Sequence, residues 1–206
     1  MKYRTIRGVG SSELIIEKSR FIGRICEVVS KDAADRFFAE IRKTHRTATH
    51  NVPAFVIGEN MQHQWASDDG EPQGTSGAPI LRMLTAGNIT NVAVMITRYF
   101  GGIKLGTGGL ARAYTAAAKA ALDVAGTVDV EDGVRFRYAV DYPHLGKLKV
   151  LAERNGFLLN EIVCAEQVLL TLTVRKEDEA RARSCVTGLT GGAERLMERE
   201  DCDIRL

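Results

Sequence analysis

The sequence predicts an α+β protein of two domains, and three observations carry that prediction. A short polar segment flanked by glycines, Gly126-Thr-Val-Asp-Val-Glu-Asp-Gly133, follows a long helical pattern, which is where a boundary disrupts least. Ahead of it the apolar residues open in a β–α–β order, and behind it they fall into β–α–β–β–α–β order. The domains are therefore expected at residues 1–130 and 131–206.

In the first part, residues 14–17 and 21–29 read as strands around a bend at Lys18-Ser-Arg20. Ala34, Phe37, Phe38 and Ile41 then recur at helical spacing behind Ser30, an N-cap candidate, and residues 52–57 make a short apolar strand. A helix is expected over 79–86, with Ser76 as its cap. Residues 92–98, Val-Ala-Val-Met-Ile-Thr-Arg, are a buried-strand run. Leu110, Ala113, Tyr114, Ala117, Ala118, Ala121, Leu122 and Ala125 trace one helical face, rich enough in alanine for close approach to a sheet, with Gly126 as the C-terminal stop.

The remainder alternates simply. Phe136, Tyr138, Val140 and Tyr142 read as one strand, Leu145, Leu148, Leu151 and Ala152 as a helix stopped by Asn155-Gly156, and residues 157–164 and 168–175 as two more strands. Ala182, Cys185, Val186 and Leu189 form a second helix, and residues 194–206 a closing strand, which completes the ferredoxin-like order.

Composition excludes several classes of function. The chain has 206 residues, 45% hydrophobic and 6% aromatic, enough for one large core or two ordinary ones. It contains no run of about 18 apolar residues and no secretory pattern, so a cytoplasmic protein without membrane contact is expected. Cys26, Cys164, Cys185 and Cys202 lack metal-finger or redox spacing, so neither disulfides nor zinc is expected. The net charge of +2 divides into +4 over residues 1–130 (16 basic, 12 acidic) and −2 over 131–206 (12 basic, 14 acidic), so the first part is the better match for an anionic partner.

Function is expected where glycine is crowded. Nine of the 20 glycines lie between Gly70 and Gly109, eight of them in two runs: Ser67-Asp-Asp-Gly-Glu-Pro-Gln-Gly-Thr-Ser-Gly-Ala-Pro79 and Arg98-Tyr-Phe-Gly-Gly-Ile-Lys-Leu-Gly-Thr-Gly-Gly-Leu110. In the second run Gly106, Thr107, Gly108 and Gly109 enter a helix, where unpaired N–H groups meet the positive end of the helix dipole. Arg98, Lys104 and Arg112 add charge to this expected anion- or nucleic-acid-binding site, although a tight connection with no ligand is an equally open reading. A Walker A loop is excluded because Thr107 occupies the lysine position, and the spacing to the preceding strand speaks against a dinucleotide fingerprint. Asp68, Asp69 and Glu71 could serve acid–base or metal chemistry with a histidine such as His50, but turn formation accounts for them more simply. No catalytic residue, metal ligand or cofactor site is assigned. The terminal sheet lacks aromatic stacking positions of the kind single-stranded RNA readers carry.

The two runs, together with Lys18-Ser-Arg-Phe-Ile22 and the continuation Ala111-Arg-Ala-Tyr114, resemble the IMPACT family, bacterial YigZ-type, over most of residues 10–126. That resemblance implies a ribosomal-protein-S5 domain-2-like first domain and a ferredoxin-like second domain similar to elongation factor G domains III and V. It also implies a role in translation regulation, which eukaryotic members exert through protein contacts. The expected function is thus a non-enzymatic, translation-associated protein that binds RNA or a ribosomal component through the basic glycine loop. Two alternatives stay open: an enzyme on a small phosphorylated or peptide substrate using Asp68, Asp69 and Glu71, and a protein-interaction regulatory module.

Overall fold

The computed structural model describes residues 1–205. The chain forms two compact units, one of Tyr3–Asp129 and the other of Met1–Lys2 with Val130 onward. The first unit holds β1 (Tyr3–Ile6), β2 (Gly10–Ile16), β3 (Ser19–Glu27), α1 (Lys31–Thr44), β4 (His50–Ile57), β5 (His63–Ala66), α2 (Gly77–Ala86), β6 (Val92–Tyr99) and α3 (Gly106–Ala125). Strands β2-β3-β6-β4-β5 make one sheet in that order, every neighbouring pair antiparallel.

The central strands β4 and β6 are buried on both faces, which is why they read as unbroken apolar runs. Their alternate residues divide between two cores. Val52, Ala54, Val56, Val92, Val94 and Ile96 join the core under α2 and α3, whereas Phe55, Ile57, Ala93 and Met95 join the one under α1. Ser30 caps α1 as its sequence suggests, its side chain accepting from the Ala33 N–H at 3.2 Å.

Helix α3 lies unusually close to the sheet. A Cβ placed on Gly10 would come within 2.0 Å of the Ala121 carbonyl oxygen, and one on Gly23 within 2.6 Å of the Ala117 oxygen. The alanine face of α3 therefore needs glycine beneath it in β2 and β3, and Gly126, at φ 65°, ends the helix.

The β2–β3 hairpin turns through Glu17 and Lys18, both at positive φ (45° and 61°), with Ile16 opposite Ser19. Two residues at positive φ match the twist of a tight hairpin, although asparagine and glycine usually occupy them. Short elements escaped the sequence pattern: β1 and β5 have four residues each.

The second unit follows with β7 (Thr127–Val140, beginning in the first unit), α4 (Tyr142–Asn155), β8 (Leu158–Cys164), β9 (Val168–Arg175), α5 (Glu179–Thr190) and β10 (Arg195–Arg205). Strand order β10-β7-β9-β8, all antiparallel, is the ferredoxin-like arrangement. Its core joins Phe136, Tyr138 and Val140 of β7 to Leu148 and Ala152 of α4, Leu170 and Leu172 of β9, and Val186 of α5. Tyr142, expected to prolong the strand, instead starts α4, where Pro143 fits the first turn.

The close approach of α3 yields a stability test. Gly10→Ala is expected to cost about 2 kcal/mol, in the range for overpacking, seen as a lower urea midpoint with an unchanged slope. An unchanged midpoint would mean that α3 is not seated on β2 as described.

Candidate functional site

Both glycine runs meet at one cavity of about 400 Å³, lined by Thr49, His50, Glu71, Pro72, Arg98, Phe100, Lys104, Leu105, Gly106, Thr107 and Leu110. Its floor is ionic. Arg98, at the end of β6, donates from Nη1 to Glu71 Oε1 at 2.7 Å, with 5% and 3% of the two side chains exposed. Tyr114, on the buried face of α3, donates its hydroxyl to the same oxygen at 2.7 Å. Burial, and after it the hydrogen bond from Tyr114 to Glu71 and the carboxylate charge, push the Tyr114 phenol far above its ordinary range, so it remains a donor.

The cluster reaches back into the hairpin. Arg98 Nη2 donates to Ser19 Oγ at 3.3 Å, and the Gly101 N–H donates to the same oxygen at 3.2 Å. A Cβ on Gly101 would lie 1.9 Å from the Lys18 carbonyl oxygen, so only glycine lets this loop pack on the hairpin tip. The Arg98 guanidinium lies 5.4 Å from the Phe21 ring centre and 5.5 Å from that of Phe100, and Phe21 meets Tyr114 edge-on at 5.3 Å. Arg98 Nε, buried against these rings, has no hydrogen-bond partner.

The three carboxylates of the first run have separate fates. Asp68 accepts the N–H groups of Gly74 (2.8 Å), Ser76 (3.1 Å) and Gly77 (2.9 Å) and the Ser76 hydroxyl (2.7 Å). Asp68, and not the Ser76 side chain, thus caps α2; Ser76 occupies the N-cap position but makes no capping bond of its own. Burial pushes the Asp68 carboxyl up, but these hydrogen bonds together outweigh it and hold the group below its usual range. Asp69 accepts from the Asn51 N–H at 2.6 Å and pairs with Arg42 at 3.1 Å. Only Glu71 faces the cavity. His50 bonds the Asp69 carbonyl through Nδ1 at 2.8 Å, which leaves Nε2 3.7 Å from Glu71 Oε1. Among the described residues, no three His, Cys, Asp or Glu side chains are grouped so as to hold a metal ion.

The expected anion site divides in the same way. Gly106, Thr107 and Gly108 form the exposed first turn of α3, and no side chain caps it. Their N–H groups precede the first intrahelical bonds and point outward along a 20-residue helix. Lys104 and Arg112 are exposed and form no ion pair among the described residues. Gly106, Thr107 and Lys104 line the cavity, whereas Gly109 and Arg112 line an adjoining depression with Lys104, Ile16 and Glu17. Arg98 differs from the expectation, because its charge is buried and neutralised by Glu71. Sequence reasoning missed Ser19 and Phe100 and placed Tyr114 only in the core. A tyrosine on a buried helical face must find a partner for its hydroxyl, and that signal pointed toward a buried acceptor.

The Impact N-terminal domain family matches residues 17–122. The IMPACT family member YvyE of Bacillus subtilis (strain 168) is 39% identical over 198 residues, covering 96% of this chain and 91% of its own. YigZ of Escherichia coli (strain K12), another IMPACT family member, is 42% identical over 101 residues, 48% of this chain and 50% of its own. A crystal structure of a hypothetical protein superposes with a TM-score of 0.59 at 27% identity, covering 95% of this chain and 97% of that one.

The buried cluster and the Asp68 cap can each be tested by substitution. Arg98→Met, which strands Glu71, is expected to cost about 3–5 kcal/mol, and adding Glu71→Leu should restore most of it; a double variant no better than the single would show the two side chains to be uncoupled. The depressed Asp68 carboxyl contributes stability above its ordinary value of 3.8, lost as pH falls through the lower native value. Asp68→Asn should therefore lower the melting temperature at pH 7 more than at pH 3, and an equal loss at both would exclude the charge as the cause.

Proposed function

The chain belongs to the IMPACT family, and from that premise we propose that it is a non-enzymatic, translation-associated regulatory protein that binds RNA phosphates through the start of α3. The observation that carries this reading is the uncapped, exposed turn of Gly106, Thr107 and Gly108, with Lys104 and Arg112 beside it and without an ion pair among the described residues. Outward N–H groups at a helix start favour a phosphate oxygen, and exposed cations beside them add a sequence-independent attraction. The excess of basic residues in the first part of the chain acts in the same direction. Translation as the setting follows from the family resemblance, in which eukaryotic members regulate that process.

An enzyme built on Asp68, Asp69 and Glu71 fits the geometry less well. Asp68 is occupied by N–H groups of its own loop and of the start of α2, Asp69 by the Asn51 N–H of β4 and by Arg42 of α1, and Glu71 Oε1 already accepts from Arg98 and Tyr114. A general base needs a free lone pair within reach of a substrate proton, and the Glu71 side chain, ion-paired and 3% exposed, gives a substrate little access to one.

Filter binding of a mixed-sequence, 12-nucleotide single-stranded RNA across a salt series tests the proposal. Affinity should fall as salt rises, and Lys104→Glu should weaken binding several-fold while making the log–log slope shallower by about 0.7, the value for one phosphate contact on a single strand. Undetectable binding, or an affinity insensitive to salt, would overturn it.

A further inference from the structure

We propose, on the RNA reading above, that the cavity between the two glycine loops takes one unstacked base of a single strand while the start of α3 holds the neighbouring phosphate. The walls suit a flat apolar face. Pro72, Phe100, Leu105 and Leu110 supply them, and the volume of about 400 Å³ lies within the range of small-ligand sites, ~300–1,000 Å³. The polar groups are few and lie at the floor and rim: Thr49, His50 and Glu71 on one side, Lys104, Gly106 and Thr107 on the other. A base has this character, with two π faces and a hydrogen-bonding edge, and its own phosphate lies one sugar away.

Phe100 is the stacking platform. Its residue is 47% exposed, which leaves the ring open to solvent beside the cavity. The Phe100 N–H donates to Thr49 Oγ1 at 3.0 Å, and its ring lies 5.5 Å from the Arg98 guanidinium, itself fixed by Glu71 and Ser19. The backbone bond fixes where the ring starts and Arg98 lies close to it, which lowers the cost of holding the ring against a base.

Gly106 and Thr107 join the two halves of the site. Both line the cavity and both belong to the first turn of α3, so an anion on those N–H groups sits at the cavity mouth. A phosphate seat without a cavity would accept duplex and single strand alike. With the cavity beside it, a single strand gains a stacking contact that a duplex reaches only by unpairing a base.

The test compares the 12-nucleotide single strand with a duplex of the same length, and with mononucleotides as competitors, on the full chain at fixed salt. The single strand is expected to bind about tenfold more tightly than the duplex, and Phe100→Ala to lose about tenfold on the single strand alone, the scale of one base stacked on an aromatic ring. The salt slope should not change in that variant. Phe100→Tyr, which keeps the ring, should retain the affinity and so separates stacking from a folding defect. If duplex and single strand bind equally, or Phe100→Ala binds as well as the parent while Lys104→Glu weakens both, the base site is wrong and the phosphate reading stands. A mononucleotide that binds more tightly than the 12-nucleotide strand would assign the cavity to a free nucleotide and overturn the proposal. Absence of any RNA binding by the parent chain would remove the underlying reading along with this one.

Discussion

The ion pair between Arg98 and Glu71 is the contact on which the first unit's functional end depends. Two charges withdrawn from water are unfavourable unless hydrogen bonds satisfy them, and here two neighbours do so in part, Arg98 Nε being left without a partner. Tyr114 of α3 donates to Glu71, Ser19 of the hairpin receives Arg98, and Glu71 itself brings in the first glycine loop. Each partner comes from a different segment of the chain, so the pair acts as a junction between them. A lysine could not replace Arg98, because only a planar fork reaches Glu71 and Ser19 together.

From that junction the rest of the site follows by packing. Gly101 must lie against the Lys18 carbonyl for its N–H to meet Ser19, and this fixes the course of the loop that leaves β6. The loop delivers the chain to α3 at a point set independently by the close seating of the helix on Gly10 and Gly23. With both ends determined, the first turn of α3 emerges at the surface without a cap. Its unpaired N–H groups are thus a consequence of two tight contacts elsewhere, and water or a ligand must satisfy them.

Much of this fold was legible in the sequence, for physical reasons that differ by element. Strands β4 and β6 face a core on each side and so contain few polar positions to confuse the pattern, and the alanines of α3 announced close packing before the glycines beneath were located. The edge strand β5 has four residues that are mostly exposed, so neither burial nor alternation marks it. At Tyr142 the alternation of β7 ran on by one step, although the proline that follows is the better guide to a helix start. That the two glycine runs meet was legible from their composition, and the roles of their side chains were less so. Arg98 looked like a free cation because a pairing across 27 positions leaves no local trace; Asp68 does shape its loop as suspected, whereas the Asp69 carboxylate reaches β4 and α1 instead of capping a turn.

On the proposed phosphate-binding reading, the burial of Arg98 limits what kind of anion site the start of α3 can form. Since Glu71 cancels its charge, the positive charge left for such a site is that of the helix dipole with Lys104 and Arg112, both solvent-exposed and therefore screened by salt, and Glu17 shares their depression. Such a field attracts a phosphate without holding it tightly, and a protein relying on it alone would bind any polyanion weakly. Discrimination then has to come from shape and from the uncharged walls, where desolvation of an apolar face does not depend on salt. The division of labour lies in the chain itself: one arginine shapes the cavity, and the charge that meets solvent is left to a lysine, a second arginine and the end of a helix.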